Sequence, residues 1–346
     1  MIGSIEIEGK SWSFEHLDDL SSELTSSDLD WKISIGEFLK DWIGDDVHVM
    51  VHSSGSTGKR KSIILQKDMM RRSAKITAGY FNLPPRSSAL LCLSANYIAG
   101  MMMIVRAVVN NWNLVVVEPN SNPLKSIAGS FDFCAMVPLQ VQSSLDHSQA
   151  KLTGIKTLII GGAAINSDQI AQLKNLGVKS FATYGMTETA THIAIRELSP
   201  KTAESFVVMS EYTISQDSRG CLIIDAEHLE KPVQTNDSIQ LTSTGFELLG
   251  RLDNVINSGG IKVFPEEIEA KIAGVFDGIS FYVTSSIDDK LGEKVILVIE
   301  GEEISDRDIL MECSEKLVPH QKPRQLVYEL HFERTETGKI IRKRLP

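Results

Sequence analysis

The sequence is poor in cysteine, short of basic residues and without a long apolar run. Its four cysteines, Cys92, Cys134, Cys221 and Cys313, stand far apart and form neither a CxxC pair nor a cysteine–histidine cluster. That spacing argues against a metal site or disulfide framework and predicts reduced, buried thiols. The most apolar stretch, Ile98 to Val109, is interrupted by Arg106 and is too short to span a bilayer. The start, MIGSIEIEGK, has no basic segment followed by an apolar block, so no signal peptide and a cytoplasmic setting are expected. Lys and Arg number 35 against 45 Asp and Glu, for a net charge of −10. Twelve of the acids and only three of the bases fall within residues 1–50. An acidic body of this kind argues against nucleic-acid partners. The exception is residues 334–346, with five bases (Arg334, Lys339, Arg342, Lys343, Arg344) and one acid, Glu336. That tail suits one anionic ligand or a solvated helix end. No glycine lies five residues before a Gly-Lys-Ser/Thr, which removes the common nucleotide loop and with it the phosphotransferases that use it.

What is present is a regular alternation. Apolar strand-like runs (Ala89–Ser94, Leu114–Val117, Phe133–Val137, Thr157–Ile160, Lys179–Thr183) alternate with helical patterns at Ile98–Asn110, Gln140–His147, Ser167–Leu176 and Thr187–Arg196. Near-continuous apolar strands separated by helices predict an α/β fold with a doubly wound, mainly parallel sheet. Ahead of these lie a hairpin-like start, an amphipathic helix around Ile33 to Trp42, a strand at Val47–Val51, its return at Ser62–Leu65 and a helix over Lys67–Phe81. From Glu211 to Thr244 short polar strands predict a β subdomain. The stretch GRLDN (250–254) reads as a boundary, giving a large domain over 1–252 and a small α+β domain over 253–346.

Four features carry chemistry. The strand at Val47 runs into HSSGSTGKRK (52–61), whose small residues leave successive backbone N–H groups open to an anion, with Lys61 adding charge; the plain alternative is a flexible Ser/Gly loop. In YGMTET (184–189), Gly185 lets backbone approach a flat ligand, Tyr184 suits stacking on a base and Glu188 suits magnesium; alternatively Thr187 and Glu188 merely start a helix. Asp237 and Arg251 have the chemistry to hold a ribose, or are a turn aspartate and a surface arginine. Lys339, after a glycine turn, is a mobile cation able to enter a cleft, or is simply exposed.

In order and spacing these features resemble the acyl-adenylate-forming superfamily, which includes acyl-CoA ligases, luciferase and the adenylation domains of peptide synthetases. The resemblance rests on SSGSTGKRK (53–61), GGAAI (161–165), YGMTET (184–189), TND (235–237), GRLDNVINSGGIKVFPEEIE (250–269) and RTETGKIIR (334–342), and spans roughly residues 47–346. It implies ATP, Mg2+ and coenzyme A, and a two-step reaction through an acyl-AMP. Lys339 and Thr187 would be catalytic. Ser53, Ser54, Gly55, Ser56, Thr57, Gly58 and Lys61 would hold the outer phosphates. Gly161, Gly162, Ala163, Tyr184, Gly185 and Met186 would frame the nucleotide, Asp237 and Arg251 its ribose, and Glu188 the metal. Asp253 would be the hinge of a mobile small domain.

Within the superfamily, YGMTETATHIAIR (184–196), ANYIAGMMMIVRAVV (95–109) and the compact 205–245 region look like the short bacterial o-succinylbenzoate–CoA ligases of menaquinone synthesis. Such an acid has two carboxylates, so Arg106 and His192, expected one helical turn after Glu188, are candidates for its pocket; a snorkelling arginine and a structural histidine are the alternatives. The rival functions are adenylation for a carrier protein and a degenerate nucleotide-binding module, the second opposed by retention of Lys339 and Glu188. The expected partners are small molecules; a homodimer covering exposed sheet is compatible with the sequence, though no motif calls for it. The chain is short for this superfamily, with little sequence ahead of the phosphate loop. It also departs from the pattern. Arg60 and Glu333 replace prolines, Asn236 a glycine, Asn254 the second aspartate, and Asn96-Tyr97 an aromatic–His pair.

Overall fold

A computed structural model of the chain describes residues 2–53, 61–203, 205–276, 279–303, 306–335 and 340–345. Its centre is one sheet whose interior strands, Ser88–Leu91, Phe133–Met136 and Leu158–Ile160, are buried along their lengths. They pair in parallel, as continuous apolar strands must when helices cover both faces. Ser180–Gly185 extends this run on one side, and Asn113–Val116 on the other. The N-terminal hairpin, Ser4–Ile7 with Lys10–Ser13, completes the far edge by pairing in parallel with Asn113–Val116.

Two helix layers cover the sheet. On one face Lys67–Tyr80 and Ile98–Asn110 pack over a core containing Met70, Met102, Met103, Trp112 and Phe133, with Leu20 and Leu39 from the N-terminal helices Leu17–Thr25 and Asp30–Ile43. On the other, Pro138–His147 and Ser167–Asn175 close a second core around Leu90, Leu158 and Leu173. Local signals set the helix ends. Pro138 begins one helix. The Asn166 side chain accepts from the Gln169 backbone N–H at 2.8 Å, starting another. Asn111, left-handed at φ 53°, ends the helix that carries Arg106. All four cysteines are buried free thiols, as expected.

The expected β subdomain is not a separate sheet. Its antiparallel strands continue the parallel sheet beyond Ser180–Gly185, giving thirteen strands in one surface among the described residues. The segment 187–196 is a correction. Instead of a helix it is a short 3-10 turn, Thr187–Thr189, followed by the strand His192–Ser199 running antiparallel to Ser180–Gly185. After Gly245–Arg251 and the turn Leu252–Asn254, a second sheet begins at Ile256, with five strands among the described residues. The helix Pro265–Ile272 packs against it through Ile268 and Ile272. Among the described residues no helix is long and apolar enough to cross a membrane.

Candidate active site

Strand ends and turns bring the motifs together. Leu158–Ile160 and Ser180–Gly185 are parallel neighbours with Ile160 opposite Ala182, so Gly161–Ala163, which follows the first, and Tyr184–Met186, which ends and follows the second, lie side by side. The glycines there are steric requirements. A Cβ on Gly161 would lie 2.5 Å from Thr183 Oγ1, and one on Gly185 would lie 2.3 Å from the Thr191 carbonyl oxygen. Gly162 is left-handed at φ 83°, and both Gly162 and Ala163 are exposed. The turn after Gly185 is knotted by Thr189, whose hydroxyl donates to the Thr191 carbonyl at 2.7 Å and accepts from the Met186 N–H at 3.2 Å. Ala190 at φ 59° then reverses the chain. The result is a rigid loop with Thr187 half-buried and Glu188 exposed at its tip.

Against this turn lie both strands of a separate hairpin, His48–Ser53 and Lys61–Gln66. Ser53 and Lys61 are register partners at the end of that hairpin from which the glycine-rich segment springs. Its residues Ser54, Gly55, Ser56, Thr57 and Gly58 lie outside the described residues, as does Lys339.

The antiparallel strands curl back over Tyr184. Asp237 and Arg251 face each other in register, with Arg251 Nη1 3.4 Å from Asp237 Oδ1. Tyr184 donates its hydroxyl to Asp237 Oδ2 at 2.5 Å. Its ring is buried against Phe246, edge-on at 5.0 Å between centroids, and Phe206 at 6.0 Å. Burial, then the Asp237 charge and hydrogen bond, push the phenol well above its ordinary value, so it stays a donor. Tyr184 therefore positions the Asp237 carboxylate, while Phe206 and Phe246, which the sequence reading missed, position Tyr184.

A second cluster sits directly behind the turn. Arg106 is 2% exposed, yet among the described residues no carboxylate pairs with it. Its Nη2 donates to Thr191 Oγ1 at 2.5 Å and its Nε to Thr77 Oγ1 at 3.4 Å, and Nη1 meets only the Met103 thioether at 3.7 Å. Burial alone draws its pKa down to about 10, so it remains a cation at neutral pH. His192 stands beside it on a strand rather than a helix, with Nε2 3.4 Å from Thr77 Oγ1 and Nδ1 3.3 Å from Thr191 Oγ1. Burial, then the Arg106 charge, hold the imidazole well below its ordinary pKa, so it is neutral. The two candidates for the acid pocket are thus brought together, with Thr77 and Thr191, which the sequence reading missed. A polar Thr77 on the buried face of an amphipathic helix was the available signal.

The His192 shift has a testable sign. In the unfolded chain this group protonates near the ordinary histidine value of about 6.5, whereas the folded chain keeps it neutral. Stability from this group is therefore intact above that pH and falls as pH drops below it, by up to about 1.4 kcal/mol per pH unit. His192→Gln should flatten the fall of unfolding free energy between about pH 6.5 and 5, measured by denaturant titration. An unchanged slope contradicts the buried neutral histidine.

The model of the AMP-binding enzyme family matches residues 10–219. The chain belongs to that family. A solved acyl-CoA synthetase (AMP-forming)/AMP-acid ligase II-like protein from Dyadobacter fermentans is 34% identical, the match covering 93% of this chain and 95% of that one at a TM-score of 0.64. The 2-succinylbenzoate–CoA ligase of Lactococcus lactis is 25% identical over 88% of this chain and 72% of its own length. The o-succinylbenzoate CoA synthetase of Bacillus subtilis, solved with its acyl-adenylate intermediate, superposes over 99% of this chain and 94% of its own at a TM-score of 0.83. At 14% identity that last likeness speaks for the fold alone.

Proposed function

We infer that this protein is an ATP-dependent, AMP-forming acid–thiol ligase that converts o-succinylbenzoate to its coenzyme A thioester, the step that belongs to menaquinone synthesis, in a cytoplasmic setting. One observation carries the choice of acid. A fully buried arginine that has no carboxylate partner among the described residues, ringed by two hydroxyls and a neutral imidazole, lies immediately behind the nucleotide turn. A lone buried cation is costly, and an anionic ligand is the natural group to offset it. An acid with two carboxylates supplies one anion for Arg106 and presents the other to the nucleotide. The 2-succinylbenzoate–CoA ligases among the relatives support the same reading.

In the first half-reaction a carboxylate oxygen forms a bond to the α-phosphorus of ATP, and the bond from that phosphorus to the bridging oxygen breaks, releasing pyrophosphate. In the second, the coenzyme A thiol gives up its proton as sulfur bonds to the acyl carbon, and AMP departs with the carboxylate oxygen. Catalysis of such phosphoryl chemistry is mainly positioning and charge stabilisation. Asp237, held by Tyr184 and Arg251, would take the ribose hydroxyls. Gly161, Gly162 and Ala163 would admit the base beside Gly185 and Met186. Thr187 would contact the α-phosphate, Ser53 to Gly58 and Lys61 the departing pyrophosphate, and Lys339 both the attacking carboxylate and the α-phosphate. Glu188 fits Mg2+, which takes one or two carboxylates together with waters and phosphate oxygens; when bound, it would neutralise phosphate charge. We further propose that residues 253–346 move as a unit about Asp253 between the two half-reactions.

The test is a panel of aromatic mono- and dicarboxylic acids with ATP, Mg2+ and coenzyme A, following pyrophosphate and thioester. Turnover of o-succinylbenzoate above the others is expected. Turnover confined to another acid would remove the substrate assignment. Pyrophosphate without thioester would point to a carrier-protein acceptor, and no pyrophosphate with any acid to a binding module.

A further inference from the structure

The residue in the family's glycine position, Asn236, makes contacts that a glycine could not. Its side-chain Nδ2 donates to Asp253 Oδ1 at 3.1 Å and Oδ2 at 3.4 Å. The amide orientation is fixed from behind. Arg219 Nη1 lies 3.0 Å from Asn236 Oδ1, and a guanidinium only donates, so the oxygen must face Arg219 and the nitrogen must face Asp253. Arg219 is itself anchored, with Nε donating to Asp217 Oδ2 at 2.7 Å and Nη2 to the Thr235 carbonyl at 3.1 Å.

Asp253 is held from three directions. Arg251 Nη2 lies 3.0 Å from its Oδ2, and the same guanidinium meets Asp237 through Nη1. Its backbone carbonyl accepts from Arg344 Nη2 at 3.3 Å, and Arg344 is paired at 3.3 Å with Glu293 of the second sheet. Side chains therefore close a ring, Asp237 to Arg251 to Asp253 to Asn236, and Asn236 is the chain neighbour of Asp237. The carboxylate assigned to the ribose and the carboxylate assigned to the hinge share one arginine and are tied a second time by the asparagine.

We propose that Asn236 is a positioning residue that latches the hinge aspartate to the ribose strand, so that release of Asp253 is coupled to the state of the nucleotide site. The proposal rests on the reading of Asp253 as the hinge. Asn236 touches no reacting atom in this account. It acts by making one of two arrangements of the 252–255 turn more favourable, and so by setting how the two half-reactions share the enzyme. A charge-assisted bond from an amide to a carboxylate is strong enough to bias such an equilibrium, though exposure of Asp253 tempers it.

The experiment measures the two half-reactions separately, as ATP–pyrophosphate exchange and as thioester formation from supplied acyl-AMP, for wild type, Asn236→Gly, Arg219→Ala, Asp253→Ala and the Asn236→Gly/Asp253→Ala pair. Asn236→Gly should change the ratio of the two rates by about threefold or more, in the direction Asp253→Ala changes it, and have no further effect once Asp253 is gone. Arg219→Ala should move the ratio the same way by less. The KM for ATP should stay within about twofold in Asn236→Gly, which separates a latch from damage to the ribose site. A ratio unmoved by Asn236→Gly while Asp253→Ala moves it overturns the latch and leaves the hinge. Effects that simply multiply in the double variant also overturn it. A ratio unmoved by Asp253→Ala removes the hinge reading, and the latch with it.

Discussion

Lys339→Ala is expected to lower acyl-AMP formation by about 10²–10³-fold, the usual cost of deleting one preorganised charge that acts on developing phosphoryl charge. Thioester formation from supplied acyl-AMP should fall by no more than about tenfold, because the unit carrying this lysine is proposed to leave the site before the second half-reaction. The expectation comes from the RTETGKIIR segment and its resemblance, since Lys339 lies outside the described residues. The asymmetry carries the information. A lysine needed only for folding, or one fixed permanently in the site, would depress both steps alike. Rapid-quench measurement of each step separates the cases, and equal losses would contradict a lysine on a unit that leaves after adenylation.

Arg106→Met should do two opposite things. It should lower kcat/KM for o-succinylbenzoate by about 30–150-fold, as expected when a buried anion loses a charge-assisted partner worth about 2–3 kcal/mol. It should leave an analogue lacking the unreacted carboxylate nearly unaffected. It should also make the ligand-free protein more stable. Burial draws the arginine from the ordinary arginine range down to about 10, which corresponds to a cost on the order of 3 kcal/mol at neutral pH. Replacing an isolated buried charge by an apolar side chain of similar length removes that cost. The sign of the pH dependence follows. The penalty is fully present below pH 10 and fades as pH rises through it, so the stability gap between variant and wild type should narrow in strong alkali. Thermal unfolding and steady-state kinetics on the two acids check both halves. Lost stability together with equal loss on both acids would make Arg106 a packing residue.

The parallel sheet was legible because its strands are buried on both faces and read as unbroken apolar runs, Phe133–Met136 and Leu158–Ile160 among them. The same property hid the strand His192–Ser199. With both faces covered it shows no clean alternation, and Thr187-Glu188-Thr189 ahead of it looks like a helix start. The reversal that separates them depends on Ala190 at φ 59°, a conformation its residue type does not advertise. Arg106 stood out in the sequence as a cation inside an apolar helix. Its partners did not, because Thr77 and Thr191 lie 29 and 85 residues away and meet it only through packing. Asn236 was visible as a departure from the motif. What the departure does became apparent only when the turn carried Asp253, 17 residues on, back to it.

The central claim is that this chain joins a carboxylate oxygen to the α-phosphorus of ATP before sulfur reaches the acyl carbon. Running the reaction with o-succinylbenzoate labelled with oxygen-18 in its carboxylates, and weighing the products, tests it most directly. The account predicts one labelled oxygen in AMP and none in pyrophosphate or any released phosphate. Label in phosphate, or unlabelled AMP accompanying thioester, would contradict it.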